Sequence, residues 1–397
     1  MGAKIAIVST KQPSTNPRMR KNADALTKAG YEVRVFYTYT ADWADLADEQ
    51  IFFNAHWSHQ RFGGHPISEP IQYLKTRIIR KLGNVLGLQR MSFCPSHAAY
   101  IRSLYQFQPD LVIGHNPGAL PILSTWSQTT GGRILFDAED YHSGEYPEGS
   151  KESSAVRKLE DRHMSNFALI TAASPLIANK YAGRFKQLKA IPLNNAFERQ
   201  LQPPFSKGSD GPLKLVWFSQ VVGMNRGLQE FLSALRNLKG TKIGITIIGN
   251  CTAAIKQQLL RFVLYPEHTL LFLNTMPESE LSLTIAKHHI GLALEPGFSS
   301  NNLIARSNKL YFYPVCGCFT LLSDTPAQRE FIEKHPNMGC VIDLFNVTSI
   351  AEKLNYYARN RSELETLRWN SWWIANERLN WETESKVLLD TVKEILS

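Results

Sequence analysis

Lys309 is the residue whose chemistry most needs a partner. It opens the amphipathic segment Lys309-Leu310-Tyr311-Phe312-Tyr313, and a cation in the first turn of a helix opposes the helix dipole unless an anion lies nearby. Just upstream runs Phe298-Ser299-Ser300-Asn301-Asn302, a loop of small polar residues. Such a loop leaves backbone N–H groups available beside the positive end of the next helix, which suits a phosphate. Glu295 follows the apolar run that leads into the loop. Two further groups fall where strand-like runs end: His115, after 109–114, and Asp137-Ala138-Glu139-Asp140-Tyr141-His142, after 133–136. A histidine near carboxylates can hold or pass a proton around neutral pH, although a buried structural histidine fits the same place.

These residues need strands to carry them. The runs 290–294 and 319–322 have the length and flanks of buried parallel strands, and the loop and amphipathic segment between them complete a βαβ unit. Ligands collect at the carboxyl ends of such strands. The N-terminal half repeats the pattern. A strand over 4–8 precedes a helix over about 18–29, with Asn16 as cap, Pro17 in its first turn and Gly30 at its end; a strand over 31–37 follows. Residues 42–70 read as irregular. Apolar runs at 169–173 and 190–193 lead to Ser206-Lys-Gly-Ser-Asp-Gly-Pro212, a run of turn residues that reads as a linker. A second series then opens: strands over 213–219, 242–249 and 269–273, with helices over 226–238 and 277–287.

The chain has 397 residues, enough for two domains with separate cores, and its 43% hydrophobic and 20% charged content is that of a globular protein. No apolar run approaches the ~20 residues of a membrane span, and the N-terminus shows no secretory signal, so a cytoplasmic location is expected. Five cysteines at irregular spacing predict reduced thiols. The net charge of +9 points to an anionic partner. No GxGxxG follows the first strand, which argues against dinucleotide binding. Segment 71–90 pairs an apolar stripe at 71, 74, 78, 82 and 85 with Lys75, Arg77, Arg80 and Lys81. It reads either as a peripheral element on the inner face of an anionic membrane or as a surface helix packed by its stripe on its own domain.

Ser307-Asn308-Lys309-Leu310-Tyr311-Phe312-Tyr313 with Gly317 resembles the nucleotide-sugar site of glycosyltransferase family 4, enzymes of the GT-B fold. The likeness extends along the chain. Asn16-Pro17-Arg18 resembles the family's opening, His115 its first strand-end histidine, and Asp137 the start of the next motif, where Glu139-Asp140 replace the usual His-Glu. Arg226-Gly227 stand where relatives carry Lys-Gly, Gly249-Asn250 end a familiar strand, and Trp381-Glu382 open a helix like the family's last one. Three further positions depart: Gln220 replaces a cation, Phe312 replaces a ribose-binding glutamate, and Leu303 stands where a second glutamate would follow Glu295.

The resemblance implies an α/β protein of the GT-B class, with two Rossmann-like domains facing each other across a cleft and a C-terminal helix crossing back. The expected divisions are an acceptor domain over 1–202, a linker over 203–212, a donor domain over 213–370 and the returning helix over 371–397. The implied activity is a retaining, metal-independent transfer of a sugar from a nucleotide diphosphate donor to a glycan or lipid-linked acceptor, as in polysaccharide or glycoconjugate synthesis, with no cofactor and no nucleic acid. No Asp-x-Asp pair is present to hold a metal. His115 and Glu295 are the expected catalytic residues. Arg226, Gly227, Asn250, Ser299, Ser300, Asn301, Asn308 and Lys309 are expected to bind donor; Asn16, Arg18, Asp137 and His142 should lie on the acceptor side. Phe312 would weaken discrimination at the ribose. A nucleotide-sugar epimerase and a non-catalytic partner protein of the same fold remain as alternatives.

Overall fold

The computed structural model of the protein describes residues 2–208 and 210–397. Met1 and Ser209, the latter within the expected linker, lie outside the described residues. The chain divides into two compact units.

The first unit contains the residues up to Asn194, together with Ser299–Asn301 and Ser385–Ser397. Its strands are β1 (Lys4–Ser9), β2 (Glu32–Thr38), β3 (Ser58–Phe62), β4 (Leu111–His115), β5 (Arg133–Ala138), β6 (Leu169–Ala172) and β7 (Lys189–Pro192). They form a parallel sheet in the order β3-β2-β1-β4-β5-β6-β7, which winds outward in both directions from the β1–β4 pair. Central strands of such a sheet are covered on both faces, and Ile5, Ile7, Leu111, Ile113, Leu135 and Phe136 are accordingly all buried. The expected helix is Pro17–Lys28, with the Asn16 Oδ1 accepting the Met19 amide.

Residues 42–70 differ from their irregular reading. They contain the helix Trp43–Asn54 and the edge strand β3. An edge strand needs no continuous apolar run, and only Phe62 of β3 is buried. Phe52 stacks on His59 at 3.7 Å and ties the helix to that edge.

The second unit contains Asn195–Phe298 and Asn302–Glu384. Its strands are β8 (Leu213–Val221), β9 (Ile243–Asn250), β10 (Thr269–Leu273), β11 (Ile290–Ala293), β12 (Phe319–Ser323) and β13 (Gly339–Ile342). Their order, β10-β9-β8-β11-β12-β13, is again doubly wound and parallel. Leu213, Leu215 and Trp217 of β8 enter one core with Leu228 and Phe231, while Val216 enters the other with Leu310 and Phe331. Alternation along one strand thus feeds cores on both faces. The helix expected over 226–238 is shorter, Leu228–Ser233, and continues as a tighter turn, Ala234–Asn237.

The stretch 203–212 is laced onto the helix Arg361–Glu377. The Trp372 Nε1 donates to the Pro203 carbonyl, the Gly208 amide to Glu365, and Arg361 to the Gly211 carbonyl. The last helix, Trp381–Leu396, begins in the second unit, and its residues from Ser385 group with the first, where Lys189 pairs with Glu394. Among the described residues, no helix is long and apolar enough to cross a membrane.

Candidate functional site

In the second unit the sheet's carboxyl edge gathers Arg226, Glu295 and Lys309. The helix Lys309–Val315 is set by its fifth residue, Tyr313, whose ring lies flat against Gly291 of β11. A Cβ built at Gly291 would stand 2.1 Å from the ring, so only glycine allows this approach. The Tyr313 hydroxyl donates to the Leu292 carbonyl at 3.0 Å. One turn earlier on the same helix, Lys309 is brought over the strand end, where its Nζ lies 3.8 Å from Glu295 Oε1. The Trp217 ring centroid is 5.5 Å from the same ammonium.

Glu295 is held from several sides. Its amide donates to the Ser323 Oγ, and the Asn302 Nδ2 donates to its Oε2 at 2.6 Å. Arg226 is exposed and donates to the Ser219 Oγ at 3.2 Å. Gly227 behind it has φ +77°, and a Cβ there would sit 2.9 Å from the Leu294 Cβ. Burial pushes the Lys309 pKa down; Glu295 opposes that shift, and the Arg226 charge adds to it. Two cations that repel each other beside one carboxylate gain from an incoming anion. Because both local helices are short, these side chains carry the site rather than a helix dipole.

The other donor candidates are placed differently. Asn250 ends β9 and accepts from the Thr275 hydroxyl at 3.4 Å, and Asn308 accepts from the Asn195 Nδ2 at 2.9 Å. Ser299, Ser300 and Asn301 group with the first unit. There, Asn301 accepts the Tyr141 amide and donates to Asp140 at 2.7 Å. Gln220 is exposed at the end of β8. Phe312 is 1% exposed and packs on Phe197 and Phe218, with centroids 4.5 and 5.4 Å away. It is a core residue and presents no surface to a ribose.

In the first unit a polar row crosses the sheet's carboxyl edge. Register places Ser9 beside His115, His115 beside Asp137, and Asp137 beside Thr171. Arg18 clamps Asp137 with two hydrogen bonds of 2.8 and 2.7 Å, and its third nitrogen donates to the Leu193 carbonyl. Asn22 and Thr171 also donate to Asp137, at 2.8 and 2.6 Å. Burial would raise the Asp137 pKa, but the charges of Arg18 and His115 hold it well below the usual carboxylate range. His115 is fully buried, with Nδ1 3.2 Å from Glu139 and Nε2 3.5 Å from the Asn22 Nδ2. The ring expected to touch a substrate is therefore sealed. Glu139, whose side chain is 20% exposed, is the member of its network with surface. Asn16 caps its helix, and its Nδ2 meets no hydrogen-bond partner among the described residues.

Beside this row, the His142 Nδ1 meets Glu145 at 2.7 Å. Burial would lower the His142 pKa, but the bond and charge of Glu145 raise it; burial and Glu145 push Asp140 up to about 6. Asp140, His142 and Glu145 bring potential metal-ligand atoms within 4.8 Å of one another, although Asn301 already engages Asp140.

Sequence reasoning missed Asn22 and Thr171. Asn22 stands four residues after Arg18, a polar residue among the buried Met19, Ala23 and Leu26 of the same helix, and that misfit is the signal.

No family model and no curated protein matches the sequence. The fold does match solved structures. Sucrose-phosphate synthase of Thermosynechococcus elongatus superposes with a TM-score of 0.74 at 12% identity, covering 99% of each chain. HepE of Anabaena, solved with UDP-glucose, gives 0.69 at 15% identity, covering 99% of this chain and 100% of its own. A glycosyltransferase of Rickettsia africae gives 0.69 at 11% identity, covering 100% and 99%. The two doubly wound units are those of the GT-B architecture.

Proposed function

We propose that this chain is a metal-independent, retaining glycosyltransferase of family 4 type. It would move a hexose from a nucleotide diphosphate donor to a glycan or lipid-linked acceptor. The observation that carries the reading is the convergence of Arg226, Lys309 and Glu295 at the carboxyl edge of a doubly wound sheet. The fold shared with HepE, solved with UDP-glucose, supports a nucleotide-sugar as the ligand.

In this reading Arg226 and Lys309 hold the diphosphate and offset the charge it gains as its bond to the anomeric carbon breaks. Arg226 supplies the bidentate geometry that suits phosphate, and Lys309 the desolvated point charge. Glu295, fixed by Asn302 and Ser323, hydrogen-bonds hydroxyls of the donor sugar. The acceptor hydroxyl attacks the face that the diphosphate leaves, and its proton passes to the departing phosphate oxygen, so no side chain serves as nucleophile. Asn250 lies near the base, while Gly227 and Asn308 complete the donor contacts. On the acceptor side, Arg18, Asp137 and Asn16 hold the frame. His115 acts through Glu139, and His142 lies beside it.

The test is a panel of UDP-, GDP- and ADP-sugars read by thermal shift, since a ligand that binds only the folded state raises the apparent melting temperature. The donor found there is then incubated with glycan and lipid-linked acceptors, and products are read by mass spectrometry. A glycosylated acceptor with retained configuration supports the reading. Release of a free epimer, or no stabilisation by any donor, overturns it.

A further inference from the structure

We propose that the outer face of the helix Pro70–Leu86 docks on an anionic lipid bilayer. The helix is fastened by its small residues. Thr76 and Gly83 are its buried positions, and a Cβ built at Gly83 would lie 2.6 Å from the Ser92 amide nitrogen. The opposite side is uncovered: Ile71, Leu74, Ile78, Leu82, Val85 and Leu86 are exposed, Ile71 at 85% and Val85 at 76%. At about 100° per residue these six fall within an arc of about 120°, the width of an amphipathic helix's apolar face. The stripe therefore does not pack on its own unit. Five residues before this helix, His65 Nε2 meets Asp45 Oδ2 of the helix Trp43–Asn54 at 2.9 Å. An exposed apolar stripe of this kind on a globular protein marks an interaction site.

Charge selects the occupant. Between Glu69 and Asp110 there is no acidic residue, while Lys75, Arg77, Arg80, Lys81, Arg90 and Arg102 all fall in that interval. Lys75, Arg77, Lys81 and Arg90 are exposed. On the helical wheel Lys75 lies within the apolar arc, with Lys81 and Arg77 along its flank. A second copy docking by the same face would set these cations against each other. An anionic bilayer satisfies both halves: the apolar arc sinks to the acyl boundary, and the long cationic side chains reach back to the headgroups. The helix then lies in the plane of the interface.

Binding is tested on the full chain by co-sedimentation with vesicles of phosphatidylcholine alone or mixed with phosphatidylglycerol, with no nucleotide-sugar present. Failure here leaves sugar transfer standing, and failure of transfer leaves this inference standing. One variant carries Lys75→Gln, Arg77→Gln, Lys81→Gln and Arg90→Gln; a second carries Ile71→Ser, Leu74→Ser and Ile78→Ser. All these positions are exposed, so unchanged melting temperatures certify the fold. The native chain should pellet with the anionic vesicles at low salt, be released at high salt, and ignore phosphatidylcholine. Each variant should partition roughly tenfold less or lower still. Three results overturn the proposal: no pelleting of the native chain, equal pelleting of the variants, or a concentration-dependent dimer that the serine variant abolishes.

Discussion

Lys309 Nζ and Glu295 Oε1 stand 3.8 Å apart at the carboxyl edge of the second sheet, a looser separation than a closed ion pair. Both side chains are mostly buried, and Glu295 also accepts from Asn302. The ammonium therefore sits in a partly desolvated site with one carboxylate for company and Arg226 repelling it. Such a charge is poised to gain from an anion, and this relationship underlies the proposed donor site.

That geometry depends on Gly291. Replacing it by alanine puts a methyl group where the Tyr313 ring now lies, so the helix that carries Lys309 must shift. Gly291→Ala should lower donor affinity although residue 291 touches no ligand. Calorimetry and the melting temperature together check this, and unchanged affinity in a folded variant would refute it.

Lys309 should also give donor binding an alkaline limb. Its pKa is lowered from the ordinary 10.5, by burial first and by Arg226 second, so the ammonium is lost at lower pH than usual. Donor affinity should decline as pH rises through that value. In Lys309→Arg the limb should disappear, because a guanidinium keeps its proton.

Asp137 predicts an acid limb of stability. Folding lowers its pKa, so the unfolded chain binds more protons in acid than the native one does. The stabilisation is complete above the unfolded value of about 4 and is lost as pH falls below it. At neutral pH Asp137→Asn leaves the Arg18 charge buried without its partner and should cost about 3–5 kcal/mol. Chemical denaturation at pH 7 and at pH 3 measures both, and the gap between variant and native chain should narrow in acid.

Phe312→Glu should unfold or strongly destabilise the protein, by roughly 3–5 kcal/mol, since it removes a buried aromatic ring and buries a carboxylate among Phe197 and Phe218. A folded variant of native stability would show that position 312 has an open face.

Much of this was legible in the sequence, and for identifiable reasons. The strands at 4–9, 213–221 and 290–293 are largely apolar because parallel strands are covered on both faces, and the Asn16-Pro17 helix start announces itself by residue type. Strand β3 escaped because a polar edge strand has no periodic signature. The burial of Phe312 escaped because the sequence does not say which side of a seven-residue helix faces the core. His115 was recognisable as a strand-end histidine, but its enclosure arises from Asn22, Asp137 and Glu139 meeting in space.

The most direct test is calorimetric titration of the stabilising nucleotide diphosphate sugar into the native chain, Arg226→Ala and Lys309→Ala. Each substitution removes a charge-assisted hydrogen bond, so each should weaken binding by about 1.5–3 kcal/mol, roughly 10- to 150-fold in Kd. Free nucleotide diphosphate should show the same loss, and the unphosphorylated nucleoside should show none. Equal Kd values for all three proteins would contradict the account, because the cluster at the sheet edge would then not be where the diphosphate binds.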